Sequence, residues 1–220
     1  AADAAYDIDN SLRFNDDDSA YLSWTPSTAT NDDKLTFSFW AKRSTPSANH
    51  KILTRYDSAD DRFYIGWANN DKIYIYQKVG GVESFNLQTN RLFRDSSAWY
   101  HIVIAFDTTQ AVEANRIKLY VNGTQETSFS TSNYPDQNLD LYYQTATSVL
   151  VKIGQYDSSQ YYDGYFAEMY FVDGTQYAAS DFGETDEDSG IWKPKDAKDD
   201  LTFGTNGFYL EFKETGTNQD

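Results

Sequence analysis

Hydrophobic and polar residues alternate with a period of two along most of the chain, which is the pattern of strands with one buried and one exposed face. Within one such segment the apolar side chains fall on alternate positions, at Leu35, Phe37, Phe39 and Ala41. The alternation predicts strands at residues 11–14, 21–24, 35–42, 51–56, 63–68, 72–78, 83–87, 99–106, 116–121, 149–154, 165–172 and 208–212. Helical periodicity is limited to one turn after Ser180, so the pattern favours an all-β protein.

Turn-forming residues separate the predicted strands. Asn69-Asn70-Asp71 lies between two strands and predicts a hairpin, and Asn122-Gly123 can take the two positive φ angles of a type I′ turn. Gly80-Gly81 and Asp163-Gly164 are further turn signals. Many short strands joined by such turns indicate a two-sheet antiparallel sandwich of the jelly-roll type.

The length of 220 residues suits one large β domain. We expect a single domain over residues 1–220, with a core at about residues 6–177 and a C-terminal extension at residues 178–220. The apolar pair Ile191-Trp192 predicts that the extension docks back onto the domain, and the alternation in residues 208–212 predicts a strand that returns to a sheet. Because the chain does not begin with methionine, we expect it to be a fragment or a processed product of a longer protein.

Charge and composition exclude several classes of function. The chain has 18 Lys and Arg against 34 Asp and Glu, a net charge of −16, which repels nucleic acid and anionic membrane surfaces. The longest apolar run, near residues 102–106, is far shorter than the roughly 20 residues of a membrane span, so we expect no membrane insertion. The absence of Cys excludes a disulfide framework, a Cys-ligated zinc site and a thiol nucleophile.

Aromatic residues make up 17% of the chain and carry the strongest functional hint. In a predicted hairpin, Tyr64 is out of phase with its apolar neighbours, while Tyr74 and Tyr76 share a face. Flat aromatic rings stack on the apolar faces of sugar rings, and tyrosine hydroxyls bond sugar hydroxyls. The alternative is that these rings fill a core that is poor in aliphatic side chains.

A loop in the second half of the chain combines tyrosines with side chains that can bond hydroxyl groups. The residues predicted to bind glycan are Tyr156, Asp157, Gln160, Tyr161 and Tyr162. Tyrosine-rich loops suit recognition because each ring offers a large contact area at a small loss of entropy. The net charge favours a neutral, hydroxyl-rich glycan over a strongly anionic one, unless calcium bridges the anionic groups to the protein.

A short acidic loop is the candidate metal site. Asp57, Asp60 and Asp61 lie close together between two predicted strands, and calcium prefers six to eight oxygen ligands. We expect calcium (Ca2+) at these three carboxylates, with residues 16–18 as the next candidate. The alternative is a solvated loop without an ion.

Four segments carry a family signature. They are residues 99–106 (WYHIVIAF), 118–123 (KLYVNG), 151–156 (VKIGQY) and 162–171 (YDGYFAEMYF). Together they resemble the laminin-G-like, or concanavalin A-like, jelly-roll family over about residues 6–177. The resemblance implies a two-sheet sandwich whose role is binding.

The carboxylates expected of a glycosidase in this superfamily are missing. Such enzymes place paired carboxylates on one strand, written E-x-D-x-x-E, so that alternate side chains enter one cleft. Here Glu168 and Asp173 are five residues apart, on opposite strand faces. His101 occupies a strand position where the family has a structural imidazole, and no nucleophile elbow accompanies it. We therefore expect no enzymatic activity.

Three further segments narrow the resemblance. Residues 6–15, 190–195 and 204–210 resemble laminin-G-like modules in structural proteins of marine bacteriophages, such as tail fibres and virion appendages. This implies a non-catalytic carbohydrate-binding or adhesion module that is extracellular, at the virion surface. Its implied partners are host-surface glycans, other virion subunits and further copies in a homo-oligomer. The alternatives are a purely structural decoration or spacer domain and, third, an accessory domain of a glycoside hydrolase.

Overall fold

The computed structural model describes residues 6–143 and 149–214. These residues form strands β1 (Leu12–Phe14), β2 (Leu22–Trp24), β3 (Lys34–Arg43), β4 (His50–Tyr56), β5 (Arg62–Trp67), β6 (Ile73–Val79), β7 (Val82–Thr89), β8 (Tyr100–Asp107), β9 (Ile117–Val121), β10 (Thr124–Glu126), β11 (Phe129–Asn133), β12 (Val151–Ile153), β13 (Gly164–Asp173), β14 (Gly183–Thr185), β15 (Trp192–Pro194) and β16 (Phe208–Leu210). Helix is confined, in these ranges, to the 3-10 turns Asp16–Asp18, Glu113–Asn115 and Ala179–Asp181. The predicted all-β class is confirmed. None of the described helices is long and apolar enough to cross a membrane.

Two seven-stranded antiparallel sheets make up the sandwich. Sheet A has the order β1-β13-β3-β8-β9-β10, and β16 pairs with β13 on the edge that it shares with β1. Sheet B has the order β11-β7-β6-β5-β4-β12-β2. Neighbours in space that are distant in sequence, such as β13 and β3, give the jelly-roll its long-range connections.

The core lies between the sheets and follows the alternation seen in the sequence. Phe37 and Phe39 of β3 and Ile104 of β8 are fully buried from sheet A, and Phe63 and Ile65 of β5 are fully buried from sheet B. Fully burying such a side chain contributes roughly 1.5–3 kcal/mol relative to leaving it exposed. The aromatic content thus supplies much of the core, as one of the two sequence interpretations held.

Most of the predicted turns form, and one does not. Asn122 and Gly123 have φ angles of 47° and 78° and join β9 to β10, in line with a type I′ turn. Asn69-Asn70-Asp71 joins β5 to β6, and Gly80-Gly81 joins β6 to β7. Asp163-Gly164 was expected to turn, but Gly164 begins β13 and pairs with β1 and β3. A Cβ at Gly164 would lie 2.1 Å from a backbone oxygen of β3, so the glycine serves close approach of strands.

The C-terminal extension covers the outer face of sheet A. Ala179, Phe182 and Ala197 pack there against Val103 and Tyr170. The returning strand expected at residues 208–212 forms as β16 and pairs with β13. No further strand or helix of the described chain packs in the same way on the outer face of sheet B. Within residues 6–143 and 149–214, the outer face of sheet A is therefore covered by the extension and that of sheet B is not.

The pair Ile191-Trp192 docks only in part. The Trp192 ring stacks near His101 at 5.9 Å between centroids, whereas Ile191 is 66% exposed. The expectation that both residues dock was wrong for Ile191, because Trp192 and Ile191 point to opposite sides at the start of β15. One aromatic anchor is enough to hold this hairpin.

Candidate functional site

The outer face of sheet B carries a group of tyrosines. Since side chains alternate along a strand, every second residue of β5 and β6 points away from the core. On these strands the outward residues include Tyr64, Tyr74 and Tyr76, and Tyr56 at the end of β4 and Tyr156 after β12 join them. We call these five residues the tyrosine face.

The rings of the tyrosine face form one continuous cluster. Tyr64 and Tyr76 stack at 5.0 Å between centroids with an interplanar angle of 20°. Tyr156 meets Tyr56 and Tyr64 edge to face, at 4.9 and 5.6 Å, and Tyr74 lies 5.2 Å from Tyr64. Tyr64 and Tyr76 are buried, whereas Tyr56, Tyr74 and Tyr156 are half-buried. Two buried rings therefore support three rings that reach solvent.

The loop after β12 holds Tyr156 in this cluster. Tyr156 and Ser159 exchange two backbone hydrogen bonds, of 3.0 and 2.6 Å, which close a tight turn. The backbone N–H of Lys51 donates to the carbonyl of Gln160 at 3.3 Å and ties the turn to β4. The side chains of Asp157 and Gln160 are exposed beside Tyr156.

Tyr161 lies at the end of the same loop and is held by polar contacts. Gln155 donates from Nε2 to the Tyr161 hydroxyl at 2.9 Å, and Lys152 donates to Gln155 Oε1 at 2.5 Å. The Lys152 ammonium also lies 5.4 Å from the ring of Tyr21, which is 45% exposed. Tyr161 and Lys152 thus extend the polar surroundings of the tyrosine face toward β2.

Tyr162 has a different environment from the other residues predicted to bind glycan. It is fully buried between the sheets and stacks on Phe166 at 4.1 Å between centroids. Its hydroxyl donates to the carbonyl of Lys42 at 3.1 Å, and burial raises the pKa of that hydroxyl. In this position the Tyr162 ring contacts core side chains and does not reach the tyrosine face.

Two cations lie against the tyrosine rings. The Lys51 ammonium is 4.4 Å from the centroid of Tyr64 and 5.6 Å from that of Tyr156. The guanidinium of Arg62 is 5.4 Å from the centroid of Tyr76. Burial lowers the pKa of Lys51 to about 8, because the ammonium loses hydration that the rings only partly replace. Two cations therefore contact the rings directly, while the carboxylates of Asp157 and Glu83 lie near Tyr156 and Tyr74 at the rim.

The three carboxylates of the predicted calcium site face different donors. Asp57 accepts a hydrogen bond from the hydroxyl of Tyr142, and Asp60 pairs with the Lys78 ammonium at 2.9 Å. Asp61 accepts a backbone N–H from the β6–β7 turn at 2.8 Å. No group of three or more His, Cys, Asp or Glu is arranged to hold a metal in the part of the chain that the structure describes. The arrangement does not fit a calcium ion as it stands, and calcium binding here stays a prediction.

Glu168 is a buried carboxylate on the other sheet. Its oxygens accept hydrogen bonds from the hydroxyls of Tyr6 (2.8 Å), Tyr209 (2.8 Å) and Tyr170 (3.0 Å). Burial raises its pKa, and the tyrosine hydroxyls oppose that shift. Because Glu168 is only 4% exposed, it joins the N-terminal segment and β16 to β13 and offers no open face to a substrate.

A cavity of about 320 Å³ lies on the side of the molecule opposite to the tyrosine face. Its lining includes Asp7 and Asp9 of the N-terminal segment, Trp40 of β3, Trp99 and Pro194. The volume is at the lower end of the range for ligand pockets, roughly 300–1,000 Å³. It shares no residue with the predicted glycan loop.

Sequence reasoning missed part of the tyrosine face. The alternation did place Tyr64, Tyr74 and Tyr76 at outward positions, but their union with Tyr156 depends on the pairing of β12 with β4. Nothing in the sequence indicated that Lys51 belongs to this face, because a lysine at a strand position does not reveal which residues of the neighbouring strands it contacts. The pairing register of β4 with β5 brings Lys51 over Tyr64.

Comparison with known families gives one match. A family model described as the concanavalin A-like lectin/glucanases superfamily matches residues 16–181. A search of curated protein sequences found no match.

Several solved structures align with this chain at low sequence identity. Tailspike protein 2 of an Escherichia coli O157:H7 bacteriophage aligns with a TM-score of 0.52 and 12% identity, over 78% of this chain and 23% of that one. Domains LG4-5 of mouse laminin alpha1 align with a TM-score of 0.46 and 13% identity, over 86% of this chain and 45% of that one. A heptameric SAP-like pentraxin of Limulus polyphemus gives 0.44 and 13%, over 76% and 78%. The chain thus spans about a quarter of the tailspike protein, and the likeness is one of fold.

Proposed function

Because this chain belongs to the concanavalin A-like lectin/glucanase superfamily, we propose that it is a carbohydrate-binding module whose glycan lies across the tyrosine face. One observation carries the proposal. Three half-buried rings, Tyr56, Tyr74 and Tyr156, are held in place by the buried rings of Tyr64 and Tyr76. A rigid aromatic surface of this kind is suited to a ligand with flat apolar faces.

Physical chemistry favours sugar rings as the occupant. The C–H groups on one side of a pyranose pack on an aromatic ring, while its hydroxyls stay available for hydrogen bonds at the rim. Rings already ordered by edge-to-face contacts lose little further entropy on binding, so more of the contact energy appears as affinity.

Polar groups suited to sugar hydroxyls surround the rings. Asp157 and Gln160 are exposed in the loop beside Tyr156. The amide of Asn86, which lies opposite Tyr76 on β7, adds a further polar group and donates from Nδ2 to Glu83 at 3.0 Å.

We propose that the module binds without turnover. The proposal is supported by the place of its carboxylates: Glu168 is enclosed by tyrosines on the opposite sheet, and Asp157 is the carboxylate beside Tyr156. Retaining and inverting glycosidases both need two carboxyl groups across the scissile bond. Hydrolysis of a bound oligosaccharide would contradict this part of the proposal.

We also propose that the module serves a phage structural protein, extracellularly at the virion surface, with host-surface glycans as its ligand. The support is the resemblance of residues 6–15, 190–195 and 204–210 to phage appendage modules. Antibodies raised against the module should label intact particles of the parent phage. Labelling of lysed cells alone would contradict it.

A glycan array tests the binding proposal. The wild-type module should bind a restricted set of glycans, and Tyr56→Ala and Tyr156→Ala should each weaken binding by about 1–2 kcal/mol, roughly five- to thirtyfold. Tyr165→Ala is the matched control, because Tyr165 is a half-buried tyrosine of sheet A. Unchanged binding in both tyrosine-face variants would overturn the site. Altered self-association in the same variants would point instead to a subunit interface.

A further inference from the structure

Lys51 is buried in a way that ordinary surface lysines are not. It is 5% exposed, and its side chain runs along Gly66 of β5, where an added Cβ would lie 3.0 Å from Lys51 Cδ. The missing side chain of Gly66 provides the space that the lysine occupies. The ammonium ends over the rings of Tyr64 and Tyr156.

Lys51 is a buried cation without an acidic partner, unlike the buried Arg43 and Arg55, which pair with Asp71 and Asp57. No carboxylate of residues 6–143 and 149–214 lies within 4.0 Å of the Lys51 ammonium, the Arg62 guanidinium or the Lys152 ammonium. By contrast, Lys78 pairs with Asp60 at 2.9 Å. In a chain with a net charge of −16, a buried ammonium without a carboxylate beside it needs a physical reason.

We propose that the glycan of the tyrosine face is acidic and that Lys51 receives one of its anionic groups. This inference rests on the proposed function and adds the class of sugar. The anionic group is a carboxylate of a uronic acid-type ring or a sulfate ester, since either satisfies an ammonium by charge-assisted hydrogen bonds.

The position of Arg62 on the same face provides a second cation for an anionic group of the glycan. Lys51 pairs with Gly66 across β4 and β5, and Arg62 lies four residues before Gly66 on β5. At about 3.3 Å per residue, the backbone positions of the two residues are separated by roughly 13 Å along the strand. The rings of Tyr64, Tyr76 and Tyr156 lie between them. An oligosaccharide with repeated acidic rings matches this spacing.

A neutral sugar would leave the face less well satisfied. It would cover the Lys51 ammonium, remove its remaining hydration and supply no negative charge, which is unfavourable for a buried cation. An acidic sugar supplies the missing charge at the same position. The overall negative charge of the chain slows the approach of an anion, but a contact at a buried cation depends mainly on the local groups.

Calorimetric titration with matched probes tests this inference. One pair is an oligogalacturonate trimer and the same trimer with its carboxyl groups reduced, and the other pair is dextran sulfate and dextran. We expect the acidic member of at least one pair to bind about tenfold more tightly or better than its neutral counterpart. Preference within the first pair alone assigns a carboxylate, within the second pair alone a sulfate ester, and within both a general anion site.

Variants separate this inference from the proposed function. Lys51→Met should lower affinity for the acidic member to that of the neutral one, Lys51→Arg should keep part of the preference, and Lys118→Met of sheet A is the control. Equal affinity for acidic and neutral members, or a preference that survives Lys51→Met, would overturn the inference. Neutral binding that Tyr156→Ala abolishes would then still support the proposed function. Failure of every probe to bind would count against both.

Discussion

The indole Nε1 of Trp192 donates a hydrogen bond of 2.9 Å to Nδ1 of His101, and this contact fastens the C-terminal extension to sheet A. Since Nδ1 accepts, the proton of the neutral imidazole lies on Nε2, which donates to Ser38 Oγ at 2.9 Å. Burial lowers the pKa of His101 to about 3. His101 is thus a neutral group with both nitrogens engaged, which suits the structural role expected from its strand position.

His101 should make the fold sensitive to acid. Its pKa is about 3 when folded, against about 6.5 when unfolded, so the unfolded state binds more protons between these values. The stabilisation that comes from the neutral, buried His101 is therefore complete above about pH 6.5. It is lost as the pH is lowered from about 6.5 to about 3, by up to about 1.4 kcal/mol per pH unit. Urea unfolding of wild type and His101→Gln should show a stability difference that shrinks as pH falls across this window. A difference that is constant with pH would contradict a neutral, buried imidazole.

Tyr162 should matter for stability and not for binding. Tyr162→Ala removes a fully buried ring and should cost about 3–5 kcal/mol of unfolding free energy, whereas Tyr162→Phe loses only the hydrogen bond to Lys42 and should cost about 1 kcal/mol. Chemical denaturation measures both values. Glycan affinity of the folded Tyr162→Phe protein should equal that of wild type. If the Tyr162→Phe protein is as stable as wild type but binds the glycan more weakly, Tyr162 takes part in binding.

The buried charge of Lys51 should lower the free energy of unfolding of the protein at neutral pH. Its folded pKa of about 8 lies below the unfolded value near 10.4, so burial of the charge destabilises the fold below pH 8. That destabilisation is relieved as pH rises from 8 toward 10.4, because the unfolded state then binds more protons. Lys51→Met should raise stability at pH 7 by on the order of 1–3 kcal/mol, and the gain should narrow by pH 10. Thermal unfolding that shows a loss of stability at pH 7 would contradict this.

Calcium binding by Asp57, Asp60 and Asp61 can be tested by thermal unfolding. Because an ion must displace Lys78 from Asp60, we expect binding only at millimolar calcium, with a rise in melting temperature that follows mass action. The double variant Asp60→Ala/Asp61→Ala should abolish the rise. An unchanged melting temperature between chelator and calcium would contradict the site. A rise that persists in the variant would move it elsewhere, first to residues 16–18.

The architecture could be predicted because its causes are local. The alternation in residues 35–42 and the turn at Asn122-Gly123 depend on neighbouring residues alone. The family signature in residues 99–106 and 162–171 added the jelly-roll type but not the order of strands in the sheets. The strands β10, β11, β14 and β15 were missed. Three of them have three residues, too few for a period to show.

The candidate site could be predicted only in part, because it depends on register. The loop residues Tyr156 and Tyr161 stood out by composition, but Tyr64 and Lys51 join Tyr156 only through the pairing of β4 with β5 and β12. Tyr162 was grouped with its neighbours although a one-residue step turns a side chain from one sheet face to the other. The net charge described the whole chain and gave no sign of the two cations that contact the tyrosine rings.

The central claim is that a glycan lies on the tyrosine face, and nuclear magnetic resonance of the tyrosine rings tests it most directly. The module is labelled on tyrosine and titrated with the tightest ligand from the array. Ring signals of Tyr56, Tyr74 and Tyr156 should shift in a saturable way, with those of Tyr165 on sheet A unchanged. Saturable shifts confined to Tyr165, whose ring lies 6.4 Å from that of Trp99 at the cavity on the opposite sheet, would contradict the claim.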